Sequence, residues 1–104
     1  MDRGEVWWAD LPHPVGRRPV LILTRSAAVV VRNQVVVAQV TTTQHNLPCE
    51  VSLTKAEGMP KDCNVNCDVL LTVPKPRLLR KITQLSDNKM DEVNQAIKFA
   101  MEIP

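Results

Sequence analysis

The stretch GRRPVLILTR, residues 16–25, decides the architecture. Val20 to Leu23 is a continuous apolar run inside it, so Pro19 to Thr24 reads as a strand buried on both faces. Two arginines, Arg17 and Arg18, stand directly before Pro19 with no acid beside them. A core strand with two permanent cations at its mouth offers a rigid mounting for a charged group.

Working outward, Glu5 to Asp10 reads as a first strand with Trp7 and Trp8 on opposite faces. Pro12, Pro14 and Gly16 make Leu11 to Arg18 a turn. Beyond the opening strand, Ala27 to Val31 either extends it or bends away. Arg32-Asn33-Gln34 is a polar break expected to turn a hairpin. Val35 to Thr42 is the next strand and Thr43 to Pro48 its exit loop. Glu50 to Leu53 is a short strand with Val51 and Leu53 inward. Thr54 to Glu57 has the pattern of a capping box on one helical turn, stopped by Gly58. Asn64 to Val73 is a further strand ended by Pro74. Lys75 to Lys81 is expected to be a short basic helix. Ser86 caps a longer one to about Glu102, with Met90, Val93, Ile97, Ala100 and Met101 at helical spacing. The expected fold is mainly β, a small antiparallel barrel or half-barrel with appended helices, in one domain over residues 1–104.

Composition narrows the function classes. The chain has 104 residues, enough for one core, and Trp7, Trp8 and Phe99 are its only aromatics, so that core is aliphatic. The charged N-terminus leads into no apolar signal segment, and no apolar run is long enough for a membrane span. A soluble cytoplasmic protein is expected. Net charge is only +2, but Leu11 to Cys49 holds no Asp or Glu while carrying Arg17, Arg18, Arg25 and Arg32. Lys75, Arg77, Arg80 and Lys81 form a second acid-free cluster. These charges make either one basic surface or a scatter of solvated side chains. The odd cysteine count, Cys49, Cys63 and Cys67, suits a reducing compartment better than a disulfide framework. Cys63, Val65 and Cys67 share one face of an extended segment and read as small apolar residues rather than as metal ligands.

Phosphate-binding glycine loops, nucleophile elbows and H-E-x-x-H motifs are missing, so no metal or cofactor is expected. The polar candidates gather at two strand ends, Arg17-Arg18 and Thr41-Thr42-Thr43-Gln44-His45. A guanidinium beside a hydroxyl suits a phosphate: the one supplies a planar fork of donors, the other a further donor. Ordinary β propensity is the competing account of the threonines.

At this point the residues resemble a known family. R-G-E-V-W-W-A-D-L at Arg3 to Leu11, R-P-V-L-I-L-T at Arg18 to Thr24, V-T-T-T-Q at Val40 to Gln44 and L-P-C-E-V-S-L at Leu47 to Leu53 are similar to the MazF/PemK toxins of bacterial toxin–antitoxin systems. The resemblance runs in order over nearly the whole chain. It implies an SH3-like antiparallel barrel with added helices, assembled as a homodimer in the bacterial cytoplasm. It also implies metal-independent, sequence-specific cleavage of single-stranded RNA and a cognate antitoxin partner. In that chemistry the ribose 2′-OH attacks its own phosphate, leaving a 2′,3′-cyclic phosphate and a 5′-OH. The family's catalytic arginine matches Arg18 and its catalytic threonine matches Thr41.

Two departures from the family bear on the site. Some members place an acid after a cysteine as a base or RNA contact; Asp68 keeps that acid, but Asn66 replaces the arginine those members carry two residues earlier. Asp68 is thus either a catalytic or RNA-contacting group or a structural one. The loop Pro12 to Arg17 is shorter than in many relatives and stiffened by two prolines. His13 and His45 are candidate general bases by residue type, though the resemblance requires neither. Arg17, Arg25, Gln44, His45, Lys75 and Arg77 are the expected RNA contacts. Trp8 offers a stacking face for a base, with a core or dimer-interface position the better reading. The alternative from another class is a gyrase poison of the CcdB type, which would act through its C-terminal residues without the Arg18/Thr41 pair. A third is a catalytically silent RNA-binding barrel.

Overall fold

Apolar alternation lays down six strands, and the computed structural model describes them within residues 1–104. They are β1 (Glu5–Leu11), β2 (Gly16–Ile22), β3 (Gln34–Thr41), β4 (Glu50–Leu53), β5 (Cys63–Pro74) and β6 (Leu78–Gln84). Two helices accompany them, α1 (Ser26–Val31) and α2 (Asp87–Ala100), with 3₁₀ turns at Lys55–Glu57 and Lys75–Arg77. All pairings are antiparallel, in the order β4-β5-β3-β2-β1-β6. No helix is long and apolar enough to cross a membrane.

The sheet is buried on both sides, as the Val20–Leu23 run requires. Leu21, Ala38, Val40, Leu53 and Val65 pack on one face with Val93 and Ala96 of α2. Val20, Ile22, Val35 and Val37 pack on the other with Val29 of α1. Each fully buried valine contributes about 2 kcal/mol by removal from water. Ser86 caps α2, its hydroxyl accepting from Lys89 N at 3.2 Å.

The sheet curls until the turn after one edge strand, β4, touches the other edge strand, β6. The turn after β4 carries the expected capping box: Thr54 Oγ1 accepts from Ala56 N, and Glu57 Oε1 accepts from Thr54 N at 2.6 Å. Gly58 ends it at φ +91°, and Thr83 Oγ1 of β6 donates to the Glu57 carbonyl at 2.9 Å. That contact joins the β4 end of the sheet to the β6 end.

One open expectation is decided and two are corrected. Ala27 to Val31 forms a helix, not more strand. Its valines disfavour helix, but Ala28 and Val29 bury against the second core, and Lys75 Nζ donates to the Val29 carbonyl at 2.6 Å. The break at Arg32–Gln34 therefore separates α1 from β3 and turns no hairpin. Lys75 to Lys81 is helical only over its 3₁₀ turn, and from Leu78 onward it is strand β6. Two demands override helix formation there: Leu78 buries in the second core, and β1 takes its second hydrogen-bonded neighbour from this segment.

Candidate active site

The site grows from the place where β2 and β3 part. Their ladder pairs Ile22 with Val37, Leu21 with Ala38 and Val20 with Gln39, then stops. Carried on toward the strand ends, the same register sets Arg18 across from Thr41. The ladder has opened there, so the polar ends of both strands face a cleft instead of each other's backbone. The cleft holds about 260 Å³, and its walls include Trp8, Arg17, Arg18, Thr41, Thr42 and Lys61. No carboxylate lines it.

Arg18 is oriented from below: its Nη1 donates to Gln39 Oε1 at 3.3 Å. This leaves the other guanidinium donors for a ligand. Thr41 Oγ1 accepts from Thr43 N at 3.2 Å, which holds the hydroxyl in place and leaves its hydrogen free to donate. Asn64, cross-strand partner of Thr41 and 1% exposed, donates from Nδ2 to the Thr43 carbonyl at 2.7 Å. Asn64 Oδ1 has no partner. A buried amide held at the cost of one unsatisfied acceptor marks the Thr41–Thr43 turn as a conformation the fold enforces.

The exit loop is tied down as well. Glu50 accepts from His45 N at 2.9 Å, from Leu47 N at 3.5 Å, and lies 3.2 Å from His45 Nδ1. The backbone hydrogen bond from His45 leads in holding the Glu50 carboxyl below the usual carboxylate range.

The expected site residues divide. Arg17, Arg18 and Thr41 come together at the cleft. Arg25 does not join them: it precedes α1, beyond the opposite end of β2. Lys75 is also at that far end, engaged with α1. Arg77 lies 3.6 Å from Asp10, the cross-strand partner of Arg17, in a half-exposed ion pair. Gln44 and His45 lie on the exit loop outside the cleft lining. Asp68 is exposed at the irregular step of β5, where its backbone N donates to Asn66 Oδ1 at 3.0 Å, and it too stands outside the lining. Cys63 does reach the cleft, but burial pushes its thiol up from the ordinary value, and pushes Cys67 up to about 11. Both act as apolar packing rather than as nucleophiles. Nowhere do three or more His, Cys, Asp or Glu side chains gather as a metal site would need.

Sequence reasoning missed Gln39, Asn64 and Lys61. Gln39 left a trace, as the one polar residue between Val35 and Val40 in a core strand. Asn64 and Lys61 left none, since their roles arise from strand pairing and from the fold-back of the β4–β5 connection.

A curled antiparallel sheet with a helix packed on each face, offering an acid-free cleft at the arginine and threonine ends of two strands, defines a small β domain with a cationic cleft. The chain belongs to the PemK-like, MazF-like toxins of type II toxin–antitoxin systems, whose family model matches residues 2–101. It is 40% identical to a probable endoribonuclease MazF2 of Mycobacterium tuberculosis, covering 94% of this chain and 95% of the relative. The Mycobacterium tuberculosis toxin MazF-mt6 superposes with a TM-score of 0.89 at 32% identity, covering 96% of this chain and 98% of that one. An endoribonuclease of a mycobacterial species, solved in complex with its cognate antitoxin, superposes at 0.90 with 27% identity, covering all of this chain and 97% of the other.

Proposed function

We propose that this toxin is an endoribonuclease that cleaves single-stranded RNA at the Arg18–Thr41 cleft. The observation that carries the reading is the opposition of Arg18 and Thr41 across the parted ends of β2 and β3, in a cleft without a carboxylate. The 2′-oxygen attacks the adjacent phosphorus, the P–O5′ bond breaks, and the products are a 2′,3′-cyclic phosphate and a 5′-OH. The 2′-OH gives up its proton and the departing O5′ gains one, so charge accumulates chiefly on the nonbridging oxygens. Arg18 presents a fixed pair of donors to those oxygens, and stabilisation that grows toward the transition state lowers the barrier. Thr41 donates its hydroxyl hydrogen to the same phosphate and fixes it against Arg18. A guanidinium stays protonated, so Arg18 can hydrogen-bond to O5′ but exchanges no proton; solvent water takes the 2′-OH proton and supplies the one that O5′ gains. Much of the rate then comes from holding the 2′-oxygen, phosphorus and O5′ in line. Metal is not required by this scheme.

The toxin acts in the bacterial cytoplasm as a homodimer, restrained by an antitoxin whose acidic or apolar disordered segment folds across the basic cleft. The gyrase-poison alternative is not favoured: the similar toxins are described as endoribonucleases. Incubating pure protein with mixed RNA in EDTA tests the reading. Fragments with 5′-OH ends, absent for Arg18→Ala and Thr41→Ala, support it. Intact RNA with trapped gyrase sinks it.

A further inference from the structure

We infer that Trp8 is the platform of a nucleobase subsite, on which a base adjoining the scissile phosphate stacks; this rests on the RNA-cleavage reading above. Trp7 and Trp8 are neighbours in β1, both partly buried, but with different partners. Trp7 packs on the second core and donates from Nε1 to Glu5 Oε1 at 2.8 Å. Trp8 belongs to neither core, its indole N–H has no acceptor within the chain, and its ring is only half-buried. A large aromatic side chain left out of the core in a chain with two tryptophans calls for a ligand with an apolar face and a polar edge.

The surroundings name that ligand. Trp8 pairs across the sheet with Pro19 on one side and Arg80 on the other. Its side chain is shared by three clefts. The first is the Arg18–Thr41 cleft; the second is walled by Arg17, Leu79 and Arg80; the third runs along Pro60, Arg80 and Lys81. None of the three is lined by a carboxylate. Cations flanking an aromatic face match a nucleotide chain, with the base on the ring and phosphates on either side. Because the indole borders the cleft of Arg18, the stacked base belongs to a nucleotide next to the cleaved bond. Stacking discriminates by ring size and overlap, so Trp8 also sets a base preference at that position.

The test uses an oligoribonucleotide spanning the mapped cleavage site, made uncleavable by a 2′-O-methyl group at the cleaved nucleotide. One abasic ribose is placed in turn at each flanking position. Wild type is expected to lose roughly 5- to 150-fold in affinity at one position beside the scissile phosphate. Trp8→Leu is expected to bind the intact oligonucleotide with about that loss and to show no further loss at the same position. Trp8→Phe recovers part of the affinity and of the abasic effect. In a Trp7→Phe background, the fluorescence of the remaining Trp8 is quenched by the intact oligonucleotide and not by the abasic one. This measurement needs no change at Trp8. The assignment is overturned if Trp8→Leu and wild type show the same abasic profile, or if Trp8→Leu binds RNA normally but no longer self-associates, which would make the residue a protein contact. A wild type that neither binds nor cleaves RNA overturns the endoribonuclease reading itself, and the subsite with it.

Discussion

Arg18 donates to Gln39 across the β2–β3 boundary, Nη1 to Oε1 at 3.3 Å, reaching back from two residues beyond Val20 to the last rung of the ladder. The strand end thus supplies both the cation and the group that aims it. Arg18→Lys keeps the charge but loses the planar fork, and kcat is expected to fall about 100-fold or more with folding unchanged. Gln39→Ala leaves Arg18 in place but free to rotate, and about a fivefold fall in kcat/KM is expected, the worth of one hydrogen bond near 1 kcal/mol. Near-normal turnover by Arg18→Lys would mean that charge alone suffices.

Thr41 separates hydroxyl chemistry from turn structure. Its oxygen accepts from Thr43 N while its hydrogen stays available. Thr41→Ser keeps both functions and should cleave within a few-fold of wild type. Thr41→Val removes both while filling the same volume, with an expected loss of about 100-fold in kcat. Single-turnover cleavage with saturating protein reads this directly. Equal rates for the serine and valine variants would remove the hydroxyl from the mechanism.

Much of this arrangement could be read from the sequence because local and global signals agree there. The Val20–Leu23 run, the Thr54–Glu57 capping box and the Ser86 cap each dictate their structure within a few residues. The family resemblance set Arg18 and Thr41 on matching strand ends. Tertiary demand decided the rest: Val29, left open by the sequence, is helical because its neighbours bury it, and Leu78 to Gln84 is strand where a basic helix was expected because β1 had an open edge. The site followed the same rule. Arg25 is near Arg18 in sequence but at the opposite end of an extended strand, whereas Arg80 is remote in sequence and pairs with Trp8.

Gly58 closes the sheet at its edges. A Cβ placed there would lie 2.5 Å from Thr83 Oγ1 and 2.9 Å from its Cβ, at φ +91°. Gly58→Ala is therefore expected to destabilise by about 2 kcal/mol or more, from left-handed strain plus the collision. Thr83→Ala alone should cost about 1 kcal/mol for its lost hydrogen bond to Glu57. The double variant should be more stable than the sum of the two losses, because removing the hydroxyl relieves the nearer of the two clashes with the new methyl. Urea midpoints of the four proteins give the coupling; strict additivity would show that the two sites do not touch.

Glu50 makes the exit loop acid-sensitive. Its carboxyl is held below its ordinary 4.5, first by the backbone of His45. A depressed folded value means that its contribution is complete above about 4.5 and is lost as pH falls through the lower, folded value. Thermal midpoints measured from pH 7 down to 3 should fall less steeply for Glu50→Gln than for wild type, because only the native carboxylate has that bond to lose. At pH 7 the variant should be the less stable. Parallel curves for the two proteins would leave Glu50 without a part in acid unfolding.

Salt dependence distinguishes the cations around Trp8 from those elsewhere. Each phosphate contact on single-stranded RNA adds about 0.7 to the magnitude of the slope of log affinity against log salt, through counterion release. Arg80 borders two of the clefts that Trp8 shares, whereas Arg25 lies beyond the far end of β2. With an uncleavable oligoribonucleotide titrated between 50 and 200 mM salt, a range in which such slopes are well resolved, Arg80→Ala should flatten the slope by about 0.7. Arg25→Ala should leave it unchanged. The reverse result would move the RNA path to the other end of the sheet, where Arg25 and Arg32 line a separate hollow beside α1, and would detach it from Trp8 altogether.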